Sequence, residues 1–275
     1  MDYSHPLFLA ALLLYIVSAG LYHVPVLVGS VRGVRLARGA ALTGFALHTI
    51  GIIDRSIILG HAPYVELREA VATIAWTVVL LTLLVEWRRK TSALGALALP
   101  MAVVMMFMAD TLPVFGRAHP LIPSIYQNPL KAHIGAIVAA FGGFALAFCA
   151  AILYLVQERR LKEKRVVASQ PGTLGLMEIE EIANSLAAFG FSMLSLGLLL
   201  GMIWASRGLW HGAWLAEPIV LATIATWCIY AAYLYLRGVR GSRGRSNMYY
   251  LIAGFSLAAI TVLIIRVVLP GQHGF

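Results

Sequence analysis

The residues of this 275-residue chain that are best suited to do chemistry are histidines and tryptophans between apolar segments. Trp210 and Trp214 lie in a short stretch that also contains Glu217. An indole ring suits a membrane–water interface because its body is apolar while its N–H can stay hydrated. We interpret this stretch as a short outer amphipathic segment on which a flat, apolar ligand could rest.

The segments around this tryptophan stretch are those of an integral membrane protein. Hydrophobic residues make up 60% of the chain and charged residues only 12%, a composition typical of membrane-spanning helices. The sequence predicts an all-α, polytopic protein with eight transmembrane helices in a single domain, residues 1–275. The predicted spans are 6–29, 39–60, 67–87, 92–109, 133–156, 187–206, 218–236 and 247–269. Residues 166–183 are expected to form a linker that leads into an amphipathic turn.

Positive charge predicts the orientation of the helices. Most of the 21 lysines and arginines lie in every second connection. The positive-inside rule places these connections in the cytoplasm, with the N- and C-termini on the outer face of the cytoplasmic (inner) membrane. Topology therefore explains the net charge of +9, and no nucleic-acid partner is expected.

Two histidines fall on the outer side in this topology. His133 opens the fifth span and His273 follows the eighth. Imidazole is a common axial ligand of haem iron, so the pair predicts a haem held between His133 and His273. The chain has no Cys-x-x-Cys-His motif, so the haem would be b-type and non-covalent. Arg55 and Arg266 are candidates to pair with the haem propionates.

Plainer interpretations of the same residues remain open. A histidine at a helix end can be a solvated interfacial residue, and tryptophans can form only an aromatic belt. Arg55 can pair with the adjacent Asp54. His23 and His48 are predicted at similar depths in the first two spans, where ionisable residues suggest function. They could ligate an inner haem or simply hydrogen-bond between helices.

Several motifs, taken together and in order, resemble one protein family. Arg55 and His61 belong to an R-x-x-x-x-G-H-x-P segment, followed by Glu69 and Ala75-Trp76. The tryptophan stretch continues to Thr226-Trp227, and the chain ends in Leu-Pro-Gly-Gln-His-Gly-Phe. The whole resembles the cytochrome c assembly family, which includes CcsA/ResC, CcmC and HemX-like proteins. The resemblance implies haem ligation by His133 and His273 beside a tryptophan-rich "WWD" segment.

The chain departs from that family pattern in four places. Ala216 replaces a core tryptophan, Glu217 replaces the aspartate, and Ile219-Val220 replaces a Lys-Glu pair. The inner histidine that CcsA members place in the seventh span corresponds to Tyr235. The resemblance therefore implies an outer haem site, but it supports full cytochrome c synthase activity less strongly. No independent enzymatic activity is expected.

The sequence supports one preferred function and leaves alternatives. The preferred hypothesis is a protein that holds or presents haem at the outer face, with apocytochrome c and a CcsB/ResB-like membrane protein as possible partners. The alternatives are a b-type haem electron-transfer or anchor subunit of a respiratory complex, and a HemX-like regulator of tetrapyrrole synthesis acting through the 166–183 linker. A membrane protein without haem is the fourth hypothesis.

Overall fold

The chain folds into a bundle of α-helices. The computed structural model describes residues 6–28, 31–59, 62, 64, 67–111, 128–164, 174–206 and 217–260. Among these residues there are eight helices, which confirms the predicted all-α class. They are α1 (Pro6–Val28), α2 (Val31–Leu59), α3 (Leu67–Arg89), α4 (Gly95–Thr111), α5 (Asn128–Lys162), α6 (Leu176–Trp204), α7 (Pro218–Gly238) and α8 (Arg245–Ile260).

Six of these helices, α1, α2, α3, α5, α6 and α7, are long and apolar enough to cross a membrane. Helix α4 is apolar but has 17 residues and contains Pro100. The described part of α8 has 16 residues, and the rest of its predicted span, residues 261–269, lies outside the described residues. A helix needs about 20 residues to cross the hydrocarbon core.

The start of α6 differs from the prediction. Helix α6 begins at Leu176, so residues 176–183 are helical and the predicted linker is wrong over this part. Residues 166–173 of the predicted linker lie outside the described residues. The Glu178 carboxylate accepts a hydrogen bond from the Gly175 backbone N–H at 2.8 Å, which caps the helix. Acidic side chains are favourable here because the first turn of a helix carries partial positive charge. The glutamates that suggested a linker therefore begin a helix.

Basic connections meet at one end of the bundle. Near the start of α2, the Arg38 Nε donates to the Glu86 carboxylate of α3 at 2.8 Å. The Tyr22 hydroxyl of α1 donates to the same carboxylate at 2.7 Å. Arg38 also donates to the Thr91 carbonyl in the α3–α4 connection. The end of α1 and the start of α2 therefore lie beside the connection from α3 to α4.

The start of α6 joins two further connections to this end. At the end of α3, Arg89 forms an ion pair with Glu181 at 3.3 Å. Glu180 is buried and accepts a hydrogen bond from the Gly244 N–H of the α7–α8 connection at 3.1 Å. Its carboxylate also lies 3.6 Å from the Arg237 guanidinium at the end of α7. All four basic connections thus share one end, as the charge pattern predicts.

Helix α5 is the centre of the larger core, which includes side chains of α3, α4, α6, α7 and α8. Its Phe144 ring stacks on Tyr230 of α7, with centroids 3.6 Å apart. Glycines let α6 approach α5 closely. A Cβ at Gly190 would lie 2.6 Å from the Phe144 ring and 3.1 Å from the Ala140 carbonyl oxygen. Helices α1 and α2 form a second core against α3 and α4.

We expect Gly190→Ala to lower the free energy of unfolding by about 1–3 kcal/mol because the added methyl overpacks the α5–α6 interface. Thermal unfolding in one detergent, followed by near-ultraviolet circular dichroism, measures the effect. The matched control is Gly20→Ala in α1, where an added Cβ meets nothing within 4 Å. Equal midpoints for the two variants would show that the interface tolerates the methyl group.

Candidate functional site

His133 lies in the first turns of α5, at the end of the bundle opposite the basic connections. Its ring is partly buried, and its Nδ1 lies 2.6 Å from the Gly197 carbonyl oxygen of α6. A carbonyl can only accept, so Nδ1 carries the proton and donates. In the neutral ring the lone pair is then on Nε2. This tautomer, with one nitrogen held by a carbonyl, is the form in which histidines commonly bind metals.

Arg55, near the end of α2, forms an ion pair with the first turn of α3. Its Nε lies 3.1 Å from the Glu69 Oε1, and the Glu69 side chain is buried. The structure thus pairs Arg55 with Glu69, a partner that the sequence analysis did not consider. A guanidinium has five N–H donors, so a paired arginine can still bind a second acceptor.

Two further contacts fasten this end of the bundle. The buried Arg68 donates to the carbonyls of Ala109 and Asp110 at the end of α4, at 2.9 and 2.6 Å. The Tyr64 hydroxyl, between α2 and α3, donates to the Lys131 carbonyl of α5 at 3.1 Å. Burial raises the pKa of the Tyr64 phenol, so it remains a donor at neutral pH. These contacts hold α3 to the end of α4, and Tyr64 to the start of α5, at the end of the bundle that carries His133.

Glu217 caps the start of α7, after the connection that leaves α6 at this same end. Its carbonyl accepts hydrogen bonds from the Val220 and Leu221 N–H groups, each at 3.0 Å, and Pro218 occupies the first helical position. The partly buried carboxylate is favourable beside a helix N-terminus. His133, Arg55 and Glu217 are thus three predicted site residues that share one end. The other predicted outer residues lie outside the described residues: His61, Trp210, Trp214, Arg266 and His273.

The predicted inner pair is not brought together. His48 is fully buried between α1 and α2, with its Nδ1 3.3 Å from the Tyr15 hydroxyl and its ring against the Phe8 edge. Its Nε2 has no hydrogen-bond partner among the described residues. His23 is exposed, and it follows Tyr15 by about two helical turns, or about 12 Å along α1. His48 therefore lies at the level of Tyr15, not of His23.

Two motif tryptophans hold helices together. Trp76 of α3 donates its indole N–H to the Thr49 hydroxyl of α2 at 2.8 Å. Trp227 of α7 donates to the Ser195 hydroxyl of α6 at 2.9 Å. The motifs point to both tryptophans but not to their partners, because the partners lie on other helices. Tyr235, at the position of the family's inner histidine, is exposed.

An all-helical bundle with six helices able to cross a membrane defines a multi-pass membrane protein. The chain matches the model of the Cytochrome C assembly protein family over residues 64–273. It therefore belongs to that family, and the resemblance noted in the sequence is confirmed.

The chain is similar to several curated proteins named cytochrome c biogenesis protein CcsA. The protein from Chlorella vulgaris is 28% identical over 254 residues, which cover 82% of this chain and 80% of the relative. The protein from Trieres chinensis is 24% identical over 251 residues, which cover 81% of this chain and 80% of the relative. The protein from Gloeobacter violaceus is 23% identical over 318 residues and covers 97% of this chain and 92% of its own.

Among solved structures, the cytochrome c haem lyase CcmF has the same fold, with a TM-score of 0.69 at 17% identity. The match covers 93% of this chain but 45% of CcmF. At this identity the likeness concerns the arrangement of helices alone.

We expect Glu69→Ala to destabilise the protein by about 3 kcal/mol, because it leaves Arg55 without its buried partner. Thermal unfolding in detergent is the measurement. The control is Glu163→Ala, which removes an exposed ion pair with Arg159 one helical turn away and should cost at most about 1 kcal/mol. If the two variants lost the same stability, the Arg55–Glu69 ion pair would contribute no more than an exposed pair.

Proposed function

We propose that this protein binds non-covalent haem at the outer face of the membrane, through His133 and His273, and holds or presents it during cytochrome c assembly. The observation that carries the proposal is the hydrogen bond from His133 Nδ1 to the Gly197 carbonyl. This bond leaves the Nε2 lone pair for a metal. Membership of the cytochrome c assembly family supports a role in that process.

The proposed topology has eight spans with both termini outside the cytoplasmic membrane. It is supported by the common position of the four basic connections, which the positive-inside rule assigns to the cytoplasm. His133, Arg55 and Glu217 lie at the opposite end. On this assignment they face the compartment in which cytochromes c are assembled.

The residues around the proposed haem have distinct roles. Trp210 and Trp214 cover the apolar edge of the ring, while Arg55 and Arg266 offer cations to the propionates. His61 and Glu217 flank the haem. A bound haem would supply the vinyl groups that react with the cysteines of an apocytochrome. This chain binds and orients the ring, and other partners, such as a CcsB/ResB-like membrane protein, complete the system.

We expect the purified chain to contain haem and His133→Ala or His273→Ala to lose most of it, because each removes one axial ligand. A reduced-minus-oxidised spectrum with a pyridine-haemochrome assay gives the haem content per chain. No haem in the wild-type protein, or an unchanged spectrum in both variants, would rule out this site. His23→Ala should keep the wild-type content because His23 is exposed on α1.

A second candidate function is electron transfer across the membrane, which needs an additional haem. The observation that favours it is the fully buried His48, whose Nε2 has no partner among the described residues. Two haems per chain, with one lost in His48→Ala, would support conduction. One haem per chain that is retained in His48→Ala would support the outer site alone.

A further inference from the structure

The Cε1–Nδ1 edge of the His133 ring lies against a glycine of α6. A Cβ built on Gly201 would lie 2.8 Å from the His133 Cε1 and 2.9 Å from its Nδ1. Real Cβ atoms do not approach other heavy atoms so closely, so any other residue at position 201 must displace the ring. The imidazole thus occupies the space that a side chain at position 201 would need.

The same glycine gives the ring access to its acceptor. In an α-helix the N–H of residue i+4 bonds to the carbonyl of residue i, so Gly201 is the helical partner of the Gly197 carbonyl. Each side chain in a helix leans toward the preceding turn, where it covers that carbonyl. Without a Cβ at position 201 the Gly197 oxygen stays open, and its second lone pair can accept from the His133 Nδ1.

We infer that Gly201 is a positioning residue for the His133 imidazole. It lets the Gly197 carbonyl fix the ring as the Nδ1–H tautomer and direct Nε2 away from α6. A carbonyl that accepts from the far nitrogen makes an imidazole a more basic ligand and sets its orientation. The effect of Gly201 on haem binding rests on the proposed function, in which His133 is a haem ligand. The tautomer and the ring position do not depend on haem.

A simpler role for Gly201 would be helix packing, which other glycines of α6 also serve. A Cβ at Gly190 meets the Phe144 ring and a Cβ at Gly197 meets the Ile137 side chain, both on α5. Gly201 differs because its neighbour is the imidazole itself. Gly190→Ala is therefore the matched control, since it crowds the same pair of helices more than two turns from position 201.

The first test uses the full-length protein in lipid nanodiscs, with 15N-labelled histidine rings observed by solid-state NMR. In the wild-type protein the His133 signal, assigned by its loss in His133→Ala, should show a protonated Nδ1. Gly201→Ala should shift the ring toward the other tautomer or a mixture, and Gly190→Ala should not. A wild-type pattern in Gly201→Ala would overturn the inference.

Haem binding gives a second measurement. We expect Gly201→Ala to weaken haem binding about 10–100-fold, the usual cost of losing an outer-shell partner of a ligating histidine, and to raise the high-spin fraction. Added imidazole should restore the low-spin spectrum. Gly190→Ala should change neither. A wild type that takes up no haem would refute the proposed function, while the NMR result would still decide the role of Gly201.

If the Gly201→Ala protein is too unstable for these measurements, a double-mutant cycle on thermal stability tests the role of Gly201. The added methyl clashes with the His133 ring, so Gly201→Ala should lower the thermal midpoint much less in a His133→Ala background. Gly190→Ala should cost the same in both backgrounds. If Gly201→Ala cost equally much with and without the imidazole, the glycine would serve helix packing alone and the inference would fail.

Discussion

The close approach of α5 and α6 is the constraint on which the end of the bundle that carries His133 depends. Within lipid there is little hydrophobic force between helices, so small residues that let backbones approach become important. Gly143 of α5 faces Gly190 of α6. A Cβ built on Gly143 would lie 3.2 Å from the backbone N and Cα of Gly190. The same closeness, farther along, brings the His133 ring to the Gly197 carbonyl at 2.6 Å. Helix packing and the orientation of the His133 ring therefore have one cause.

Buried polar groups hold the two ends of the bundle in different ways. A charge within the membrane region is costly unless it is paired. Glu86, which is 2% exposed, accepts from both Tyr22 and Arg38, and so joins three helices at the basic end. At the other end Arg68 closes α4 through two carbonyls. These polar contacts fix the positions of the helix ends, and therefore of the candidate site residues on them. They act in addition to the packing of the apolar core.

Hydropathy and charge predicted the helices well because both depend on composition rather than on detailed contacts. The start of α6 was missed because Glu178 and its neighbours looked like a solvated linker, although acidic residues also favour the first turn of a helix. Arg55 and Glu69 were both singled out by family motifs, yet their ion pair was not predicted. The pairing depends on how α2 and α3 are rotated about their axes, which hydropathy does not report.

By itself, the sequence determined the class of the protein, the eight helices among the described residues, the basic clusters that share an end, and its family. These properties follow from runs of apolar residues, basic clusters and motif order, which are local along the chain. Only the tertiary structure decided that His133 donates to Gly197, that Arg55 pairs with Glu69, and that His48 lies beside Tyr15 instead of His23. Each of these contacts joins residues that are far apart along the chain or on different helices. They depend on interhelical distance and rotation, which are set by side-chain packing between helices.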